Sequence, residues 1–351
     1  MSVADYLRQF RGKAAPWALE LIELAYRGEF GLPTGQQSAL NLVDFIGADA
    51  KSDFSMFGDS DEANRIEGGS SALPEALYAR LGDGIALKAG HGLSRIAVDT
   101  QRRVALSFAT NSGRIEAAHD VVVLALPFTK LREVEGLDAL GLDSMKLRSI
   151  RELGYGDNAK VMVGTTGRPW TGAARLPAPS NGTFYSEDFQ LVWETSRGQS
   201  GERGILTNFL VGVRDQGAAL ANMERGLRKI SPTIADSLDP SNITSFFWSK
   251  HPFTRGSYSS ATVGQYTTLL EVAATPELDG RLHFAGEHTS ADFPGFMCGG
   301  VQSGERVAAA LSERKGRVVR RASSTHSTVA FPEGRPELNL VRAESRNDIA
   351  A

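Results

Sequence analysis

The stretch Arg281-Leu-His-Phe-Ala-Gly-Glu-His-Thr289, followed by Pro294-Gly-Phe-Met-Cys-Gly-Gly-Val-Gln-Ser-Gly-Glu-Arg306, decides the fold. Leu282 to Phe284 read as a short strand, Gly286-Glu287 as a corner, and Met297 as the start of a glycine-studded helix. A helix beginning there aims unpaired backbone N–H groups and its positive dipole end at whatever lies in front of it. Gly299, Gly300, Ser303 and Gly304 carry almost no side chain, so a flat ring or a diphosphate could approach that backbone closely. Small residues at these spacings also let a helix pack tightly on a sheet, and the pattern alone leaves both readings open.

Working outward, residues 14–30 place Trp17, Leu21, Leu24 and Ala25 on one helical face, and residues 36–47 form a second helix-like segment with Leu40, Val43 and Phe45. A polar loop from Lys51 to Asn64 leads to Gly68-Gly-Ser-Ser71, then to a helix with Leu73, Leu77 and Leu81 on one stripe and Gly82 as its stop. Short strands are expected at 85–87, 95–98 and 104–108, with a turn at Asn111-Ser-Gly113. Val121 to Leu126 is apolar on both faces and ends at Pro127, as a covered central strand should. Strands at 159–164, 183–193 and 204–211 and a helix over 216–231 follow. After Leu311 the composition turns basic and polar, which reads as a mobile tail.

A chain of 351 residues can bury a sizeable core and hold two domains. With 41% hydrophobic and 23% charged residues it has ordinary globular composition, and a net charge of −3 gives no reason to expect nucleic acid or an anionic membrane as partner. Cys298 is the only cysteine, which excludes an intrachain disulfide and a cysteine-rich metal site. No signal-like start or run of about 18 apolar residues is present, so the expected protein is soluble and cytoplasmic. No metal site is expected, because His283 and His288 lack ligand spacing.

The sequence resembles the flavin-containing amine oxidases, the monoamine, polyamine and amino-acid oxidases. The resemblance rests on Ala285-Gly-Glu287, on Gly295-Phe-Met297 with Gly300, Ser303 and Gly304, on Arg65-Ile-Glu-Gly-Gly69, and on Lys160, Trp170, Trp248 and Tyr258. It covers roughly residues 1 to 314. It implies an α/β (α+β mixed) fold in which an incomplete Rossmann-like FAD domain joins a mixed-sheet substrate domain with helices. The expected segments are substrate-domain helices at 1–64, FAD-domain pieces at 65–136 and 261–314, a substrate domain at 137–260, and a disordered tail at 315–351.

The resemblance also implies the site. Lys160 would hold a water against flavin N5, and Tyr258 and Phe296 would flank the amine, although the family often has two tyrosines there. The Met297 amide would lie beside N1/C2=O, with Gly286, Glu287, Gly295, Trp248 and the Leu93 backbone also meeting the cofactor. Ser257 occupies the place of the family's flavin-linking cysteine and cannot form a thioether, so FAD would be noncovalent.

Members of the family open with a strand, a G-x-G-x-x-G turn and a helix that seat the FAD diphosphate. No G-x-G-x-x-G occurs in this chain. The expectation is therefore an FAD-dependent amine oxidoreductase that is N-terminally truncated or one half of a split enzyme, whose companion supplies that unit. The alternatives are an inactive remnant or regulatory binding subunit, and a desaturase or protoporphyrinogen-oxidase-like enzyme.

Overall fold

The computed structural model describes residues 1–47, 57, 64–82, 84–172, 176, 179–322 and 340–342. Most of the expected loop after Lys51, and the tail at 323–339 and 343–351, lie outside the described residues.

Three helices open the chain. In α1 (Val3–Arg8) a capping box closes the first turn, with Ser2 Oγ accepting from the Asp5 amide and the Asp5 carboxylate accepting from the Ser2 amide. α2 (Pro16–Phe30) starts with proline at its first position and stops at Gly31, whose φ of 68° is left-handed. α3 (Ala39–Phe45) is capped by Ser38. Val3, Leu7, Ala25, Tyr26 and Leu42 form their shared core. The stripes differ from expectation. Trp17 near the start of α2 is exposed, and so are Leu40 and Val43, because α3 instead turns Asn41 inward, where its side-chain oxygen accepts from Tyr266 Oη at 2.8 Å.

After β1 (Asn64–Ile66), α4 (Ala72–Ala79) carries the expected leucine stripe yet has no buried residue. The expected strand at Ile85–Leu87 is irregular, with both side chains exposed. β2 (Gly92–Val98), β3 (Val104–Thr110) and β4 (Gly113–His119) form an antiparallel sheet turned at Asn111-Ser-Gly113. β5 (Val122–Leu124) is shorter than the expected central strand and pairs in parallel with β11 (Leu282–Phe284). Val123 is exposed, because alternation turns it to the face opposite the buried Val122 and Leu124. α5 (Phe128–Leu131) and α6 (Ser144–Glu152) pack beneath this pair in a core that includes Phe128, Leu131, Ile150 and Phe284.

The largest sheet is antiparallel, in the order β10 (Leu238–Phe247), β6 (Asn158–Thr165), β9 (Gly204–Val211), β8 (Gln190–Glu194) and β7 (Phe184–Ser186). The single strand expected over 183–193 is the β7–β8 hairpin. Ser186 Oγ accepts from the Asp188 amide at 3.2 Å and Gln190 adopts φ 68°, which turns the chain. α7 (Gln216–Ile230) and α8 (Pro232–Asp236) contribute Met223, Leu227 and Ile234 to one face, against Val161, Val163 and Leu206. α2 lies against β7, β8 and β9. A single π-helical turn at Tyr266–Leu270 runs into α9 (Glu271–Ala273). α10 starts at Met297 as expected but continues to Ala322, beyond the expected boundary at 314.

Candidate active site

Lys160 comes from the alternation of β6. Ala159, Val161 and Val163 point into the core under α7, so Lys160 points to the opposite face, level with Phe209 on β9 and Phe246 on β10. Its Nζ lies 5.6 Å from the ring centroids of Trp193 and Phe209 and 5.8 Å from that of Trp248. Three aromatic faces around one ammonium favour the cation through their quadrupoles. Trp170, which the sequence groups with Lys160, lies elsewhere: it is fully buried and donates from Nε1 to Glu194 at 2.7 Å.

Tyr258 is held from two sides. Its hydroxyl donates to the carbonyl of Glu29 at the end of α2. Burial first, and then the nearby Glu29 charge, hold its phenol well above the usual range, so it stays protonated. The neighbouring Ser257 Oγ donates to Asn158 Oδ1 at 2.6 Å, and Asn158 Nδ2 donates to the Gly28 carbonyl at 2.8 Å. The buried Asn158 thus joins β6, α2 and the tyrosine segment. A Cβ at Gly31 or at Gly156 would collide with Asn158 Oδ1, which is why glycine occupies both places.

The corner predicted at Gly286-Glu287 is present. Gly286 adopts φ 125° and ψ 162°, a region open to glycine alone. The Glu287 carboxylate accepts from the Ser259 amide at 2.9 Å, the Ser259 hydroxyl at 2.7 Å and the Gly295 amide at 2.5 Å. Glu287, expected to meet the cofactor, ties the tyrosine segment to the start of α10. Gly295, with φ 86°, lies against the Tyr258 ring, and a Cβ there would sit 3.6 Å from it. Phe296 is exposed and meets Phe45 of α3 at 6.4 Å between centroids. Met297 is 59% exposed as the first residue of α10, and its amide has no acceptor one turn back. Leu93 lies half-buried at the start of β2, opposite Phe108 and before an irregularity in the pairing.

His288, read from sequence as an ordinary loop histidine, is 2% exposed with its ring 4.3 Å from that of Phe128. Burial first, then the Lys146 and Arg306 charges, push it down to about 3, so it is neutral at physiological pH. Asn158, Ser259 and His288 carry no motif, and only their three-dimensional neighbours identify them. Among the described residues no cluster of three or more His, Cys, Asp or Glu side chains could hold a metal ion, and no helix is long and apolar enough to cross a membrane.

The flavin implied by the sequence resemblance fits the ring end of this arrangement. Gly299 is closed by the Phe293 carbonyl, but Gly300 in the first turn of α10 has nothing within 4 Å of where a Cβ would stand, and the exposed Met297 leaves the helix start open. Both features lie at the carboxyl ends of the parallel strands β5 and β11, where open α/β sheets take ligands.

Residues 5–312 match the model of a protein family described as flavin containing amine oxidoreductase. The chain is 27% identical over 256 residues to a putative L-amino-acid oxidase, YobN, of Bacillus subtilis, covering 69% of this chain and 51% of that protein. It is 25% identical over 252 residues to the pseudooxynicotine dehydrogenase of a Pseudomonas species, covering 71% and 46%. It thus spans about half the length of these curated relatives. Among solved structures it resembles putrescine oxidase bound to putrescine, with TM-score 0.67 and 20% identity, covering 89% of this chain and 68% of that one. It also resembles the cyclohexylamine oxidase of Brevibacterium oxydans, with TM-score 0.65 and 17% identity, covering 90% and 68%. The family match over nearly the whole described chain, on a fold shared with two amine oxidases, makes this protein a member of the flavin-containing amine oxidoreductases, with FAD as the cofactor of the family.

Proposed function

We propose that the chain forms the substrate side and the flavin-ring side of an FAD-dependent oxidase that converts an amine to an imine, hydrolysed to the aldehyde, with oxygen reduced to hydrogen peroxide. The observation that carries it is the placement of Lys160 within three aromatic rings, on the same face of the molecule's main sheet as Trp248, together with the stitching of Tyr258 to the α10 start through Glu287. FAD, noncovalently bound, would supply the two-electron acceptor. Gly286, Gly295 and the Met297 amide would hold its ring, with Trp248 at its margin, Glu287 toward the ribityl and diphosphate groups and the Leu93 backbone toward the adenine. The positive end of α10 favours negative charge at the ring edge, by the electrostatics of an oxyanion hole. Tyr258, kept protonated, and Phe296 present aromatic faces to the amine. Lys160 retains its ammonium in the aromatic cage and can hold a water on that face.

The adenosine half of FAD needs the strand–turn–helix unit whose glycine signature the sequence lacks. We assign its seat to the edge of the β5–β11 pair that no strand covers among the described residues.

The test is the visible spectrum of the purified chain before and after incubation with FAD and gel filtration. Retained flavin bands, followed by amine-dependent peroxide release that drops about a hundredfold in Lys160→Met, support the oxidase. Absence of flavin even when the glycine-turn unit of a related oxidase is added would favour a binding subunit without redox chemistry.

A further inference from the structure

Beneath the Gly286 corner three basic side chains converge that carry no sequence motif: Lys146 of α6, His288, and Arg306 of α10. Arg306 donates from Nη1 to the Ala274 carbonyl at 3.1 Å, and from Nη2 to the Phe284 carbonyl at 3.0 Å and Thr289 Oγ1 at 2.9 Å. Lys146, fully buried, donates to the preceding carbonyl, Ala273, at 2.8 Å, and its Nζ lies 4.2 Å from the Phe284 ring centroid. Arg306 and Lys146, which burial pulls down to about 7, therefore share the carbonyl end of the helical turn 266–273, where a helix dipole favours positive charge.

The network above them leads to the corner. Thr289 Oγ1, which accepts from Arg306, donates to the Gly286 carbonyl at 2.8 Å. Ser303 Oγ accepts from the Gly286 amide at 2.8 Å and donates to the Gly300 carbonyl at 2.7 Å. Both backbone groups of Gly286 are thus fixed by hydroxyls, and one of those hydroxyls is set by Arg306. The same turn carries Glu287, whose carboxylate sets Ser259 and Gly295 on either side of Tyr258. A strained backbone conformation persists only where its surroundings over-determine it, and this network supplies that.

We infer that Arg306 is a positioning residue for the flavin site, holding the Gly286–Glu287 corner through Thr289 in the conformation that meets the bound ring. The assignment rests on the proposed FAD site. A role in packing alone would lower stability without changing what the corner does, and the two are separable.

Three variants, Arg306→Met, Thr289→Val and their combination, are compared with the wild type by FAD dissociation constant and by NMR titration of the His288 ring. Arg306→Met is expected to weaken FAD binding about tenfold or more, the scale of charge-assisted hydrogen bonds. Thr289→Val, which leaves Arg306 its two carbonyl partners, weakens it less, and the double variant matches Arg306→Met because the two act in series. Guanidinium ion restores part of the loss. Losing the cation and loosening the corner also raises the pH at which His288 protonates by about one unit or more. Unchanged FAD affinity in a variant that merely melts earlier would overturn the inference. If the wild type holds no FAD, the flavin site fails on its own account. The His288 titration of Thr289→Val, which keeps the Arg306 charge, then decides: a rise upholds the coupling, and no change refutes it.

Discussion

The five-stranded antiparallel sheet and the two-stranded parallel pair solve the same burial problem to different degrees. In the large sheet, Val161, Val163, Leu206 and Trp170 are closed over by α7 and α8. The parallel pair leaves Val123 exposed, and Leu77 and Tyr78 of α4 and the following Leu81 are about half-exposed. Antiparallel sheets tolerate one open face, whereas parallel strands are found covered on both. Among the described residues, burial is therefore more complete in the large sheet than around the parallel pair.

That contrast can be broken by mutation. Leu206→Ala, in the closed sheet, is expected to cost about 2–5 kcal/mol in urea unfolding, from lost burial plus the cavity left behind. Gly286→Ala should cost about 1–3 kcal/mol, because a Cβ there sits 2.5 Å from His288 Cε1 and φ is positive. A loss below about 0.5 kcal/mol would mean that the corner is loose. Acid tests the same corner without mutation. Folded His288 stays neutral down to about 3, whereas the unfolded chain takes up its proton near 6.5. Between those values the unfolded state binds more protons, so stability falls as pH falls through that window. His288→Phe should flatten that part of the pH–stability curve, and an unchanged slope would assign it to other groups. Leu77→Ala should change stability by less than about 0.5 kcal/mol, since the side chain packs on nothing substantial. A large loss would show α4 covered in solution and erase the contrast.

Much of the fold is legible in sequence where period and punctuation agree. Gly204–Val211 and the helix beginning at Gln216 match their expected bounds, and Met297 is the helix start that its glycines announce. Ile85–Leu87 misleads because apolar residues beside glycines imitate a strand while no partner among the described residues pairs with them. The hairpin inside 183–193 is hidden because its turn depends on Ser186 Oγ and a left-handed Gln190, neither a strong turn signal. At the site, Lys160 and Tyr258 stand in recognisable spacing with Trp170 and Trp248. Asn158, Lys146 and Arg306 do not, since a buried amide or cation has the same letter as an exposed one, and only the carbonyls around it reveal its work.

The aromatic cage around Lys160 also has an optical consequence. Two of the four tryptophans, Trp193 and Trp248, stand around one ammonium, while Trp17 faces solvent and Trp170 is sealed against Glu194. Indole emission overlaps the near-ultraviolet absorption of an oxidised flavin, so a ring bound beside the cage would quench that pair by energy transfer. The molecule carries its own fluorescent gauge of occupancy, readable without a label or a turnover.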